Sequence, residues 1–196
     1  MEHDPTRRRV ITALAGLTLA NISLPSAASY TANVQNNSPI LVAYFSRSGN
    51  TRVIAGVIQR SLKTNIFEIE PTIPYPQDYF QTVEQAKNER SQGIKPALKN
   101  SVSDIERYET IYLGFPIWGA SVPPVVQTFL STHHLSDKRL IPFITHSGYG
   151  NGDSINILAK LTPTARWEKP LVIECDQERR TTEMVLHWLE TVPKHA

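Results

Sequence analysis

A short segment that begins as an apolar strand and ends as an amphipathic helix constrains the fold of this chain most. Residues 40–45 are uniformly apolar, and apolar side chains recur at helical spacing from Ile54 to Leu62. Between them lies a polar turn, residues 46–51, with the sequence Ser-Arg-Ser-Gly-Asn-Thr. Because the first turn of a helix offers unpaired N–H groups and the positive end of the helix dipole, this order of elements predicts an anion site, best suited to a phosphate.

The residues of the turn exclude two common phosphate loops. The turn has neither the lysine of a P-loop nor the G-x-G-x-x-G pattern of a dinucleotide-binding fold. Gly49 allows the backbone to pass close to a ligand, and Ser46, Ser48 and Thr51 supply hydroxyl groups. Taken alone, the pattern is also compatible with an ordinary strand-to-helix turn that has a polar cap.

The rest of the chain alternates strand and helix patterns. Further strands are expected at residues 65–70, 109–115, 140–145 and 170–175, each followed by a helical or turn segment. Strict apolar-polar alternation in 65–70 indicates a strand at the edge of the sheet. The alternation of strands and helices predicts an α/β protein with a parallel sheet covered on both faces.

A proline-rich segment precedes the second helix. Asp78 and Gln81 form a capping-box pattern, which predicts a helix that runs to about Gly93. We expect Tyr75 and Tyr79, which lie just before this helix, to pack the loop against the sheet.

Two more loops follow strands and carry unusual residues. In residues 115–124, Trp118 lies beside a glycine and is flanked by prolines, which favours a binding role over packing alone; a core or lid residue is the alternative. Ser121 is expected to cap the helix that follows. Residues 145–154 contain three glycines within five positions, which indicates a backbone that approaches something closely, and Asp153 is expected to cap the next helix.

Residues 46–51 resemble the phosphate loop of flavodoxins, whose pattern is roughly S/T-x-S/T-G-N-T. The resemblance extends from about residue 40 to residue 192 and includes both other loops. It implies a flavodoxin-like three-layer α/β/α sandwich over residues 40–193, with a five-stranded parallel sheet in the order 2-1-3-4-5. Flavodoxins are themselves an example of the rule that ligands bind beyond the carboxyl ends of the strands, where the strand order reverses.

The resemblance also implies noncovalent binding of FMN. The phosphate would lie on the first loop, Trp118 would stack against the ring, the Gly119 peptide would face flavin N5, and the third loop with Tyr149 would hold the pyrimidine edge. Arg47 stands where family members often have a neutral residue, so it either pairs with the phosphate or points to solvent. The residues that the resemblance assigns to FMN are Ser46, Arg47, Ser48, Gly49, Asn50, Thr51, Pro116, Ile117, Trp118, Gly119, Thr145, Ser147, Gly148, Tyr149 and Gly150.

The N-terminal residues have the pattern of a targeting signal rather than of a folded domain. Three arginines at 7–9 precede an apolar run at 10–20, and small residues at 24–28 offer a cleavage site after Ala28. The paired arginines resemble a twin-arginine signal; an ordinary secretory signal or a retained anchor are the alternatives. We expect residues 1–28 to be a signal peptide, residues 29–39 a flexible linker, and the protein to be exported, to the periplasm of a bacterium.

The flavodoxin resemblance implies low-potential electron transfer between redox partner proteins, and the N-terminal pattern places it outside the cytoplasm. The alternatives are an FMN-dependent NAD(P)H or quinone oxidoreductase, in which His146 and Tyr149 would assist proton or hydride transfer, and a binding module that has lost the flavin. No catalytic residue is assigned. The formal net charge of +2 is too small to indicate nucleic acid or an anionic membrane as a partner.

The remaining polar side chains suggest no second type of site. Cys175 is the only cysteine, so the chain cannot form an internal disulfide. We expect His133 and His134 to complement the negative end of a helix dipole rather than to bind metal. We expect the mature domain to be a monomer or a weak dimer.

Overall fold

The structure is a computed structural model, and it describes residues 37–174 and 178–193. The predicted signal peptide, most of the predicted linker and Cys175 lie outside the described residues. The helices and strands, in chain order, are β1 (Ile40–Tyr44), α1 (Asn50–Leu62), β2 (Asn65–Glu68), α2 (Tyr79–Gln92), β3 (Thr110–Pro116), α3 (Pro124–Thr132), β4 (Arg139–His146), α4 (Ser154–Leu161), β5 (Arg166–Trp167), β6 (Leu171–Glu174) and α5 (Glu178–Thr191).

All strands of the described sheet are parallel, and their order confirms the prediction. The hydrogen-bonded sequence of strands is β2-β1-β3-β4-β5, and β6 also pairs with β4. Strand β2 lies at one edge, as its alternating pattern predicted. The carboxyl ends of β1, β3 and β4 therefore lie side by side, which places the three loops of interest at one end of the sheet.

The fifth strand is interrupted, which the sequence did not predict. Strand β5 pairs with Arg139 and Leu140 of β4, and β6 resumes the pairing at Phe143. The carbonyl of Leu140 accepts a hydrogen bond from the Glu168 N–H. The backbone N–H and C=O groups of the even-numbered residues of β4 therefore point towards this edge. Pro142 is one of these residues and has no N–H to donate, which explains the break at this point.

Helices cover both faces of the sheet and give three layers. Helices α1 and α5 contact each other on one face, where Ile54, Ile58 and Val185 are buried against Val42 and Ile141. Helices α3 and α4 contact each other on the opposite face, which buries Val126, Phe129 and Leu158. None of the helices formed by the described residues is long and apolar enough to span a lipid bilayer.

Helix α2 begins and ends at the predicted residues. The Asp78 carboxylate accepts a hydrogen bond from the Gln81 N–H at 2.9 Å, and Gly93 at φ 66° ends the helix. Thr82, Ala86 and Glu89 lie on its buried side, while Tyr79, Phe80 and Val83 are exposed. The helix is thereby fixed against the loops at the carboxyl end of the sheet.

Candidate functional site

The first loop leaves the start of α1 open. Gly49 occupies the N-cap position at φ 97°, and no side chain caps the helix. The Gly49 N–H itself donates to Ser46 Oγ at 3.1 Å, which closes the loop. A Cβ built on Gly49 would meet nothing within 4 Å. The N–H groups of the first turn are therefore accessible to an external anion, as helix N-termini generally permit.

Thr51 connects the first loop to the third. It is 1% exposed, and its Oγ1 lies 2.8 Å from Thr145 Oγ1 at the end of β4. Only one of the two hydroxyl hydrogens can be used in this contact. The other hydroxyl hydrogen remains available for a second acceptor. By contrast, Ser48 and Asn50 are exposed.

Arg47 contacts the start of α2, which neither alternative from the sequence foresaw. Its Nη2 donates to the Gln77 carbonyl at 2.8 Å and its Nε donates to Thr82 Oγ1 at 3.2 Å. The guanidinium also lies 5.9 Å from the centre of the Tyr79 ring. To pair with a bound phosphate, the Arg47 guanidinium would have to give up its hydrogen bonds to Gln77 and Thr82.

The second loop is a tight turn between Trp118 and Ser121. The Trp118 N–H donates to the Ser121 carbonyl at 3.0 Å, and the Ser121 N–H donates to the Trp118 carbonyl at 3.2 Å. Both central residues have positive φ, 55° at Gly119 and 59° at Ala120, which is the pattern of a type I′ turn. Ala120 is strained in this conformation because its Cβ disfavours the left-handed region.

The prediction that Ser121 caps the next helix is wrong. Helix α3 begins at Pro124, its N-cap position is Pro123, and that position makes no side-chain cap. The backbone of Ser121 is used instead to close the turn at Trp118. Prolines at 123 and 124 pre-set the backbone for a helix start two residues later than the pattern suggested.

The Trp118 ring is contacted by two other aromatic rings. Tyr75 and Phe45 meet it in T-shaped contacts, with ring centroids 4.8 Å and 5.1 Å away. Tyr75 is buried and donates from its hydroxyl to the Glu89 carboxylate at 2.8 Å. Burial, reinforced by this hydrogen bond, raises the pKa of Tyr75 well above its usual range. Tyr75 thus packs the loop as expected, and what it packs against is Trp118.

The third loop needs its glycines for two different reasons. Gly148, Gly150 and Gly152 all have positive φ, at 87°, 64° and 52°. A Cβ on Gly150 would meet nothing within 4 Å, whereas a Cβ on Gly152 would lie 2.1 Å from the Ala120 carbonyl oxygen. The same carbonyl accepts a hydrogen bond from the Asp153 N–H at 2.9 Å. The close approach that the glycines predicted is, at Gly152, an approach to the second loop.

The side chains of the third loop are mostly exposed. Tyr149 is 82% exposed and Ser147 is also exposed. His146 accepts a hydrogen bond on Nδ1 from the Gly148 N–H at 3.1 Å, so it organises the end of β4. Asp153 is the N-cap residue of α4 but makes no side-chain cap; its carboxylate accepts from the Asn156 amide instead.

The structure brings the three loops together through main-chain and hydroxyl contacts. Besides the Thr51–Thr145 and Ala120–Asp153 contacts, the Ile117 N–H donates to the Thr145 carbonyl at 2.8 Å, and Pro116 pairs with Thr145 in the sheet. Ser48, Asn50 and Tyr149 project away from these contacts into solvent.

Arg90 is a residue at this site that the sequence did not identify. Its Nη1 donates to the Trp118 carbonyl at 3.3 Å, although it lies 28 residues away on α2. No local motif marks such a contact. Only the helical pattern that begins at Asp78 could have placed Arg90 near the end of α2.

His133, at the end of α3, is engaged by the fold. His133 accepts on Nε2 from the Val102 N–H at 3.0 Å, so its Nδ1 donates to the Phe129 carbonyl at 2.9 Å. In the part of the chain that the structure describes, no group of three or more His, Cys, Asp or Glu side chains is placed to hold a metal ion.

Comparison with known proteins bears on the family and the fold of this chain. A family model described as flavodoxin matches residues 39–192. A solved structure from Bacteroides eggerthii, provisionally named a flavoprotein, shares 28% identity; the match covers 78% of this chain and 96% of that chain, with a TM-score of 0.67. A similarly named protein from Bacteroides uniformis shares 26% identity over 77% of this chain and 97% of that chain, also with a TM-score of 0.67.

A more distant structure supports the fold alone. A flavoprotein from Lactobacillus acidophilus, solved in complex with FMN, shares 20% identity over 74% of this chain and 97% of that chain, with a TM-score of 0.57. The comparison with curated proteins found no match. Because the family model spans most of the sequence and the strand order agrees with it, this chain belongs to the flavodoxin family.

Proposed function

We propose that this protein binds FMN noncovalently and transfers electrons between redox partner proteins. The observation that carries this proposal is the meeting of three loops at the carboxyl end of the sheet, with an uncapped helix start in one and a tryptophan turn in another. An anionic group and a flat aromatic ring would each find suitable partners there. The similar flavoprotein from L. acidophilus was solved in complex with FMN, which supports the choice of cofactor.

The first loop fits a phosphate group. The N–H groups at the start of α1 and the hydroxyl groups of Ser46, Ser48 and Thr51 are the donors that would hold it. Each favourable charge at a helix N-terminus contributes roughly 0.3–1 kcal/mol, so several donors must act together. The open space beside Gly49 leaves room for the ligand to approach the backbone.

The second and third loops fit the ring. Trp118 is half-buried and is held in place by T-shaped contacts with Tyr75 and Phe45, so its exposed part would be available to a flat ring. When bound, FMN supplies the redox chemistry, and the protein contributes binding, orientation and electrostatics. Tyr149 is exposed and would gain a partner on the ring.

The turn at Trp118 has the residues for two peptide orientations. Glycine at the first central position is the preference of a type II′ turn, whereas the structure has type I′ with Ala120 at positive φ. Rotation of the Gly119–Ala120 peptide would convert one turn into the other and return Ala120 to negative φ. The Gly119 carbonyl could thereby accept a hydrogen bond from a protonated flavin N5 in one orientation and withdraw from it in the other.

Stepwise reduction without oxygen tests the proposal. The full chain would be loaded with FMN and reduced in small steps while its absorption spectrum is recorded. We expect tight FMN binding and a one-electron-reduced form that accumulates midway. Failure to bind FMN would contradict the proposal as a whole.

The alternative function is an FMN-dependent NAD(P)H or quinone oxidoreductase. Direct conversion of the bound flavin to the fully reduced form, together with turnover of NAD(P)H or a quinone, would favour it. Its suggested proton donor, His146, already accepts the Gly148 N–H on Nδ1, which leaves only Nε2 for such a role.

Export is proposed from the N-terminal sequence. Arginines at 7–9, the apolar run at 10–20 and the small residues before Ala28 support a twin-arginine-type signal. Replacing Arg7 and Arg8 by lysine should retain the protein inside bacterial cells, as cell fractionation would measure. Equal export of the variant and the parent would contradict the twin-arginine route.

A further inference from the structure

The side chain of Arg90 covers one side of the tryptophan turn. Its Nη1 donates to the Trp118 carbonyl at 3.3 Å. A Cβ built on Gly119 would lie 2.6 Å from Arg90 Nη2 and 2.7 Å from Nη1. The guanidinium therefore occupies the space that a side chain at position 119 would fill, and it lies directly against the peptide that faces the proposed ring site.

The adjacent residue sets the orientation of α2. Glu89 is 6% exposed, and its carboxylate accepts hydrogen bonds from the Tyr75 hydroxyl at 2.8 Å and from the Gln85 amide at 2.7 Å. These contacts anchor one face of the helix beneath Trp118. Because residue 90 follows directly, the anchored Glu89 directs the Arg90 side chain towards the turn.

The positive charge of Arg90 has no carboxylate partner among the described residues. The ion pairs of this part of the chain involve other residues. The three atoms nearest to a Cβ at position 119 all belong to the Arg90 guanidinium, whereas the Glu89 carboxylate is bonded to Tyr75 and Gln85. The cation is therefore the charge that lies closest to a ligand bound against this peptide.

We propose that Arg90 is a positioning residue that holds the Trp118–Gly119 turn and raises the reduction potential of the flavin bound against it. This inference rests on the proposed binding of FMN. Addition of a second electron from an external reductant, without a proton, leaves the ring with a net negative charge. A cation at Gly119 favours that product over the neutral ring and therefore makes the second electron easier to add.

Three variants of the full chain test the role of Arg90. Arg90→Gln keeps a hydrogen-bond donor but removes the charge, and Arg90→Lys keeps the charge but loses the planar guanidinium. Lys87→Gln is the matched control, since it removes the same charge from an exposed position on the same helix. Both one-electron potentials and the FMN dissociation constant would be measured for each, with dithionite as the reductant.

We expect Arg90→Gln to disfavour the second electron about tenfold, which corresponds to ~59 mV for a one-electron step. Arg90→Lys should retain part of the effect. Lys87→Gln should stay within about twofold of the parent, because Lys87 and Arg90 are both exposed but it is Arg90 that touches Gly119. The first-electron potential should change less than the second in Arg90→Gln.

Two outcomes would overturn the inference, and they differ from failure of the proposed function. Equal second-electron potentials in Arg90→Gln and Lys87→Gln would exclude the charge effect. A weaker FMN affinity in Arg90→Gln with unchanged potentials would reduce Arg90 to a binding contact. If the parent itself does not bind FMN, the proposed function fails first and this inference fails with it. Should Arg90→Gln not fold, Arg90→Met, which also removes the charge but keeps a long side chain, replaces it in the same comparison with Lys87→Gln.

Discussion

The hydroxyl oxygens of Thr51 and Thr145 lie 2.8 Å apart and join the first turn of α1 to the carboxyl end of β4. The two residues are 94 positions apart in the chain, and both are almost fully buried. The contact couples the predicted phosphate loop to the strand that begins the third loop. The Thr51 hydroxyl is thereby held in place at the start of α1, where the phosphate is expected to bind.

Removing two hydroxyls from the first loop should weaken FMN binding mainly through its phosphate. Hydrogen bonds to charged groups contribute about 1.5–3 kcal/mol each, so Ser48→Ala with Thr51→Ala should raise the FMN dissociation constant at least tenfold. Fluorescence titration with FMN and with riboflavin, which lacks the phosphate, would separate the causes. Riboflavin affinity should change little, and Thr51→Ser is the control that keeps the buried hydroxyl. An unchanged FMN affinity in the double variant would exclude these hydroxyls from the site.

Trp118→Ala should shift the reduction potentials of bound FMN more than the double hydroxyl variant does. The ring of Trp118 is presented by Tyr75 and Phe45, so its loss removes an aromatic face and admits water to the flavin. Potentiometric titration of both variants would give the comparison. Identical potentials in Trp118→Ala and the parent would remove Trp118 from the ring site.

Alanine should be tolerated very differently at two glycines of the third loop. Gly150→Ala meets no atoms within 4 Å, so only the positive φ opposes it, at about 1–3 kcal/mol. Gly152→Ala adds a Cβ that would lie 2.1 Å from the Ala120 carbonyl oxygen and should lose clearly more stability. Chemical denaturation measures the difference. Equal losses in the two variants would show that the second and third loops are not in close contact.

Ala120→Gly should stabilise the protein. Alanine at φ 59° is strained by about 1–2 kcal/mol, and the greater backbone entropy of glycine offsets only about half of that. A gain of about 1 kcal/mol raises Tm by roughly 2–4 °C in a protein of this size. The control is Ala159→Gly on the exposed side of α4, where the same substitution should lower Tm. A lower Tm for Ala120→Gly would contradict the turn geometry.

Stability should fall in alkaline solution because three buried tyrosines resist ionisation. Burial raises the pKa of Tyr44 to about 12 and raises the pKa of Tyr75 and Tyr112 above the usual value near 10. Where the folded-state pKa is raised, the folded protein keeps a proton that the unfolded chain releases. The stabilisation is therefore full below pH ~10 and is lost as the pH rises from there towards the folded-state pKa.

Tyr75→Phe isolates one of these protons. Each such group contributes a slope of about 1.4 kcal/mol per pH unit, so the variant should lose stability less steeply than the parent above pH ~10. Burial lowers the pKa of Lys138, which changes the stability in the opposite direction as the pH rises. Lys138 is present in both proteins, so its contribution cancels when the unfolding free energy of the variant, measured in urea, is subtracted from that of the parent. Near neutral pH the variant should be less stable, since the buried Glu89 loses a donor. Parallel slopes for the two proteins above pH 10 would contradict the assignment.

The sequence predicted the parts of this fold that depend on local patterns. The strand, turn and helix around Gly49, the edge position of β2 and the cap of α2 at Asp78 follow from neighbouring residues, and the structure confirms the strand order that the family resemblance implied. Contacts between distant residues were not predictable. The position of Arg90 against Gly119 and of Tyr75 against Trp118 depends on how α2 packs, which no motif encodes.

Two further differences have simple physical causes. Ser121 has the composition of a helix cap, but the tight turn at Trp118 uses its backbone and the prolines behind it delay the helix. Arg47 was expected at the phosphate or in solvent, yet a backbone carbonyl at Gln77 competes for its guanidinium.

The break in the fifth strand, opposite Pro142 of β4, also affects whether the sheet can aggregate with that of another copy of the protein. A long outer strand with unpaired N–H and C=O groups is a template on which another chain can add, and this is a common route to aggregation. Here the outer strand is divided into β5, with two residues, and β6, with four, while the opposite edge, β2, is itself only four residues long. Neither described edge therefore offers a long ladder, and a single proline in an interior strand helps to keep the sheet from extending between molecules.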